Sequence, residues 1–168
     1  MKKFELTSET KINIFGKKLF RIKALISFAD VEAGETGGWV EKEGNVNQSG
    51  NAWVSGDAMV YGNAEVSGDA KVYGDAEVYG NAKVSGNAKV YGNAEVSDNA
   101  DYTTIHGFGT QFRTTTFFRC KDKKVRVACG CFFGTIPEFR EQVKNTRKGK
   151  IAEEYLMIAD LMEKHFEK

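Results

Sequence analysis

The residues best suited to chemistry in this chain lie between 106 and 131. His106 is a candidate general base, because an imidazole titrates close to neutral pH. The other histidine, His165, falls in the last turn of an expected helix, where a cation suits the helix dipole. Behind His106 the chain gathers groups able to hold a phosphate-bearing base. Gly107 and Gly109 permit close backbone approach, Thr110, Thr114, Thr115 and Thr116 offer hydroxyls, and Arg113, Arg119 and Arg126 offer planar cationic forks. Phe112, Phe117 and Phe118 add stacking surface. The expected ligand-binding set is therefore His106, Gly107, Gly109, Arg113, Thr115, Arg119 and Arg126. The same composition also suits an ordinary basic hairpin, with Phe in its core and Thr chosen for β-propensity. Cys120, Cys129 and Cys131 do not show the paired Cys-x-x-Cys spacing of zinc sites and read as free thiols. No metal and no cofactor is expected.

These residues need a scaffold, and residues 51–98 supply one. They repeat a single hexad eight times: NAWVSG, DAMVYG, NAEVSG, DAKVYG, DAEVYG, NAKVSG, NAKVYG and NAEVSD. A fixed short period decides architecture before any other cue. Within each unit Ala and Val stand two apart, so in an extended segment they point to one side, and the residue between them points to the other. Gly followed by Asn or Asp supplies a corner, since these residues tolerate positive φ most cheaply. Short strand, corner, short strand: the chain must coil into a parallel β-helix.

The aliphatic-x-x-x-small pattern resembles the hexapeptide repeat of left-handed parallel β-helices, the fold of many bacterial acyltransferases. The resemblance implies a triangular prism with three hexads per coil, and three to four coils in all. Residues 18 apart would then stack about 4.8 Å apart. One face would carry Ser55, Tyr73 and Tyr91 with Trp53, Lys71 and Lys89. A second would carry Tyr61, Tyr79 and Ser97 with Met59, Glu77 and Glu95, and a third Ser67 and Ser85 with Glu65, Lys83 and Asp101. A basic aromatic face opposite an acidic aromatic one suits a cyclic homotrimer. The expected oligomer contacts are Trp53, Tyr61, Tyr73, Tyr79 and Tyr91, since Tyr and Trp are favoured at interfaces.

The flanks read as caps. Residues 1–36 form an expected N-terminal β cap, with Lys11–Ile26 making a hairpin around Gly16-Lys17-Lys18. The hexad rhythm starts imperfectly at Gly37, with Val40 and Val46 in the Ala slot and Gln48 where Val belongs. Residues 37–101 form the β-helix and 102–168 a C-terminal appendage. Its expected parts are a connector over 103–110, a hairpin of Gln111–Cys120 and Val125–Phe133, a helix capped by Thr135 with Glu138, and a last helix over 151–166. Ile151, Tyr155, Ile158, Met162 and Phe166 make a stripe at helical spacing on that helix. Charge is segregated: residues 1–30 carry 7 basic and 3 acidic groups (net +4), 31–100 carry 4 and 11 (net −7), and 101–168 carry 13 and 9 (net +4). An acidic prism repels a duplex backbone, so no duplex nucleic acid is expected. No 18-residue apolar run is present, the opening MKKFELTSET lacks an apolar leader segment, and a cytoplasmic protein without membrane contact is expected.

Three further segments carry a second resemblance: GGWVEKE at the start of the repeats, CGCFFGT after the Thr-rich hairpin, and EFREQV…AEEYL in the helical tail. Together they are similar to a type of small hexapeptide-repeat protein of bacteriophages and prophages. That resemblance implies an accessory role against host defence, such as sequestering a small nucleotide-like ligand or blocking a host protein, with the host cytoplasm as its compartment. The expected function is a non-catalytic, oligomeric binding module. The alternatives are an acyltransferase that uses His106 and a purely structural scaffold. The uninterrupted repeats lack the loop that builds an acceptor pocket in the acyltransferases.

Overall fold

The computed structural model describes residues 1–167 as two compact units, Met1–Asn99 and Ala100 onward. The first is a β-solenoid of about three turns. Its rungs are two-residue strands: β4 (Trp53–Val54), β5 (Met59–Val60), β6 (Glu65–Val66), β7 (Lys71–Val72), β8 (Glu77–Val78), β9 (Lys83–Val84), β10 (Lys89–Val90) and β11 (Glu95–Val96). They stack in parallel, with Val54, Val72 and Val90 in one column, Val60, Val78 and Val96 in a second, and Val66 and Val84 in a third. Every Ala and Val of the eight hexads is buried. At the corners glycines such as Gly56 and Gly74 sit at φ +64 and +67, and a Cβ on Gly68 would lie 3.1 Å from the Gly86 nitrogen. A side chain there fits neither the backbone conformation nor the coil spacing.

Three strands precede the rungs: β1 (Phe4–Ile12), β2 (Lys18–Ala24) and β3 (Thr36–Val40). β1 and β2 form the expected hairpin, and β2 pairs with β3, which lies parallel to β5. The cap therefore extends one face of the solenoid into a six-stranded sheet. The first coil departs from the expected register. Val40 pairs with Val60 and Val46 bridges Val66, twenty residues on rather than eighteen, so both occupy Val slots and not Ala slots. The corner between Val46 and Ala52 absorbs the two additional residues.

That corner explains Gln48. In each coil the N–H groups donate to carbonyls of the following coil, as Trp53 N does to Ala70 O (3.0 Å), so carbonyls of the first coil face no preceding coil. Unpaired buried carbonyls are costly. Side chains satisfy them here: the Lys3 ammonium donates to Ala52 O (2.8 Å) and Gly50 O (3.3 Å), and Asn45 Nδ2 donates to Ala64 O (2.8 Å) and Gly62 O (3.3 Å). Gln48 fastens β1 in place, accepting from Lys3 N (2.8 Å) and donating to Phe4 O (3.1 Å).

The second unit is a four-stranded antiparallel sheet in the order β12 (Tyr102–Phe108), β13 (Arg113–Arg119), β14 (Val125–Cys129) and β15 (Phe132–Thr135), followed by α1 (Ile136–Thr146) and α2 (Gly149–Phe166). Two expectations change. The connector over 103–110 is itself a strand, pairing Thr104 with Thr116 and His106 with Thr114. The expected strand Val125–Phe133 is two strands that turn at Gly130 (φ +60) and pair Cys129 with Phe132. Thr135 caps α1 through a reciprocal bond with Glu138, and Pro137 sits in the first turn. The stripe on α2 is buried as expected: Tyr155, Ile158, Met162 and Phe166 pack with Phe117, Val127, Phe139 and Val143. No helix among the described residues is long and apolar enough to cross a membrane.

Candidate functional site

Alternate residues of a strand point to opposite faces of its sheet, and this divides the expected ligand-binding set. Phe117 and Val127 face the helices. Arg113, Thr115 and Arg119 share the parity of Phe117 along β13 and lie on that face. His106, opposite Thr114, and Arg126, opposite Phe118, lie on the other. The seven residues therefore do not form one constellation.

Most of them are also committed locally. Arg119 pairs with Asp101 (3.2 Å), donates to the Phe166 carbonyl (2.7 Å) and lies over the Phe166 ring, which ties the end of α2 to the sheet. Arg126 pairs with Asp122 (2.6 Å) in the β13–β14 turn. Gly107 sits at φ +91 at a bulge in β12. His106 is exposed, with Nδ1 3.0 Å from the Thr114 hydroxyl. That is a cross-strand contact, and no carboxylate among the described residues orients the ring.

Of the remaining three, Arg113 lines a cavity of about 200 Å³ beside the helices, while Gly109 and Thr115 lie behind two of its lining residues, Tyr155 and Cys129. Arg113 opens β13, directly after the turn that follows β12. Arg147 reaches the same cavity from the two-residue link between α1 and α2. Phe139, Gln142, Val143 and Thr146 line it from one face of α1, at helical spacing. Tyr155 contributes its hydroxyl from α2 and Cys129 its thiol from the end of β14. Thr115 Oγ1 donates to Cys129 Sγ at 3.2 Å. Gly109 is needed because a Cβ there would lie 2.4 Å from the Tyr155 hydroxyl. Burial, then the neighbouring Cys129, pushes the Tyr155 phenol above its ordinary range, while Arg147 and Arg113 pull it back only in part. The phenol hydrogen-bonds the Cys129 side chain.

The charge of this cavity sets it apart. The second unit holds five arginines. Arg119, Arg126 and Arg140 are paired with carboxylates, Arg140 with both Asp160 and Glu163 at 2.7 Å. Arg113 and Arg147 have no carboxylate partner among the described residues, and both line this one cavity, whose lining holds no acid. A larger groove of about 410 Å³ opens near Lys123 and Lys124, but Glu163 and Glu167 line it too and its Arg119 is already paired. Sequence reasoning missed Arg147, Tyr155, Gln142 and Cys129 as a group. Tyr155 read as part of the core stripe.

The expected oligomer contacts separate in the same way. Trp53 is covered by Phe4 and Phe28 of its own chain, and Tyr61 by Leu19, Trp39 and a stacked Tyr79. Both are 4% exposed, so neither has a face left for a partner. Tyr73 and Tyr91 stack at 4.6 Å and are half-buried. Tyr79 donates to Glu95 at 2.8 Å. Cys120 is buried, and burial pushes its thiol up to about 11. No group of three or more His, Cys, Asp or Glu among the described residues could hold a metal ion.

No known family model matches the chain, and no curated protein matches it in sequence.

Proposed function

We propose that this chain is a non-catalytic binding module that holds a small phosphate-bearing ligand in the cavity of its second unit. One observation carries the proposal: the only two arginines of that unit without a carboxylate partner among the described residues line the same small cavity, together with the Tyr155 phenol. Guanidinium forks are the standard means of holding phosphate oxygens. Self-association, as the homotrimer that the repeat pattern implies, belongs to the proposal, with Tyr73 and Tyr91 as its remaining aromatic contacts. The resemblance of its motifs to hexapeptide-repeat proteins of phages suggests the module's proposed setting, the sequestration of a nucleotide-like signal in a host cell. His106 adds no support to the acyltransferase alternative, since it is exposed on the opposite side of the sheet from the cavity.

Native mass spectrometry on protein purified from cells tests this directly. The expected result is an oligomer that retains a small anionic mass, and loss of that mass from an Arg113→Ala, Arg147→Ala double variant. A monomer with no retained mass, which also gives no heat on titration with inorganic phosphate, would overturn the proposal.

A further inference from the structure

The size and charge of the cavity say which phosphate chemistry it can take. At about 200 Å³ it lies below the roughly 300–1,000 Å³ of sites that bury a whole drug-sized ligand. A complete nucleotide does not fit inside, but a phosphoryl group with a few attached atoms does. Two guanidiniums without a compensating carboxylate repel one another across so small a volume, and a dianion removes that repulsion where a monoanion removes only half of it. A phosphate monoester carries close to two charges at neutral pH and presents three terminal oxygens. The cavity offers the Arg113 fork from the sheet and the Arg147 fork from the α1–α2 link, each able to hold two of those oxygens, with Tyr155 of α2 beside them. A diester carries one charge, presents two terminal oxygens, and must leave the site along two ester bonds. Phe132, Phe139 and Val143 form apolar walls beside these donors.

We infer that the cavity takes a terminal phosphomonoester as its dianion, with the rest of the ligand outside, and discriminates against internal phosphodiesters. This rests on the binding-module proposal above and narrows it: a nucleotide signal would be held by an end phosphate and not by a cyclic or bridging one. The placement of the two arginines adds a consequence. Arg147 lies in the short link between helices and Arg113 at the start of the inner strand β13, so a bound dianion ties the helical hairpin to the sheet.

Isothermal titration of the full chain with inorganic phosphate, glucose 6-phosphate, 5′-AMP and 3′,5′-cyclic AMP tests the inference. The three compounds with a terminal phosphate are expected to bind, and the cyclic diester to bind at least about tenfold more weakly. Arg113→Ala and Arg147→Ala are each expected to weaken phosphate binding by about tenfold or more. Both side chains are exposed, so both variants should keep the wild-type helical signal. Arg113→Lys and Arg147→Lys, which keep the charge but lose the bidentate fork, should fall in between and guard against a misfolded alanine variant. Cyclic AMP binding as tightly as 5′-AMP would overturn the monoester inference and leave the binding module standing. Phosphate binding that is indifferent to both arginines would place the site elsewhere. Silence from all four compounds would remove the binding proposal itself.

Discussion

The two units spend their side chains differently. In the solenoid, polar and aromatic side chains meet counterparts one coil away: Asn51 donates to Asp69, Asn63 to Asn81, Tyr61 stacks on Tyr79 and Tyr73 on Tyr91. A repeat places like beside like, so its columns satisfy themselves and converge on nothing. The second unit has no repeat. Three of its strands, both helices and the link between them send residues into a single cavity, and two cations there stay without an acid among the described residues. Periodicity produces a rigid surface, whereas convergence of unlike residues produces a site.

The two units can be followed separately in one sample. Both tryptophans, Trp39 and Trp53, belong to the solenoid unit, and both α-helices of the described residues belong to the second. Tryptophan fluorescence therefore reports one and far-ultraviolet ellipticity at 222 nm mainly the other. The largest expected effect is on the solenoid core. Val72 is fully buried and stacked between Val54 and Val90. Val72→Asp places a carboxylate where no partner can reach it and should cost more than about 4 kcal/mol. The fluorescence-detected urea midpoint should drop sharply or the transition vanish. An unchanged midpoint would mean that Val72 does not line a packed interior.

The same difference decides how much was legible in the sequence. The eight hexads announced their interior because Ala and Val recur in phase, and each of those residues is buried. The first coil was misread because two residues inserted at a corner leave no mark in a pattern that Val40 and Val46 still seem to continue. In the second unit the α2 stripe and the Thr135–Glu138 cap were legible, as both are local patterns. The cavity was not. Arg113, Cys129, Arg147 and Tyr155 are far apart in sequence, and only strand pairing and helix packing bring them together. The expected set failed for a simpler reason: it took neighbours in sequence for neighbours in space, and a strand sends adjacent side chains to opposite faces.

Alkaline pH should push the two units in opposite directions. Burial lowers the Lys3 ammonium from 10.5 to about 8 in the solenoid cap. Between these values the unfolded chain binds more protons than the folded one, so the solenoid gains stability as pH rises from 8 toward 10. The gain should be on the order of 2 kcal/mol. Above 10 the phenols of Tyr61 and Tyr73, raised chiefly by burial, begin to oppose it. In the second unit burial raises the Cys120 thiol from 9.0 to about 11. There the unfolded chain loses its proton first, so stability falls between pH 9 and 11, also by on the order of 2 kcal/mol. Tyr155 adds to that fall above 10. Urea midpoints by fluorescence should therefore rise while those by ellipticity fall. Lys3→Met should flatten the first trend and Cys120→Ala the second. Parallel trends in both signals would break the comparison.

The smallest expected effect tests whether the helical side of the site depends on a local device. Thr135 Oγ1 accepts from Glu138 N (3.4 Å), while the Glu138 carboxylate accepts from Thr135 N (2.7 Å). These bonds, with the backbone amide first among them, hold the Glu138 carboxyl below its ordinary range. Thr135→Ala removes one side of the pair and should cost about 1 kcal/mol. The cost should appear in ellipticity and leave the tryptophan transition in place, since the cap supports α1 and no rung of the solenoid. Because α1 carries Phe139, Gln142, Val143 and Thr146 to the cavity, the variant should also weaken phosphate binding slightly, by less than removal of either arginine. A loss as large as that of Arg147→Ala would mean that helix position, not guanidinium charge, dominates the site.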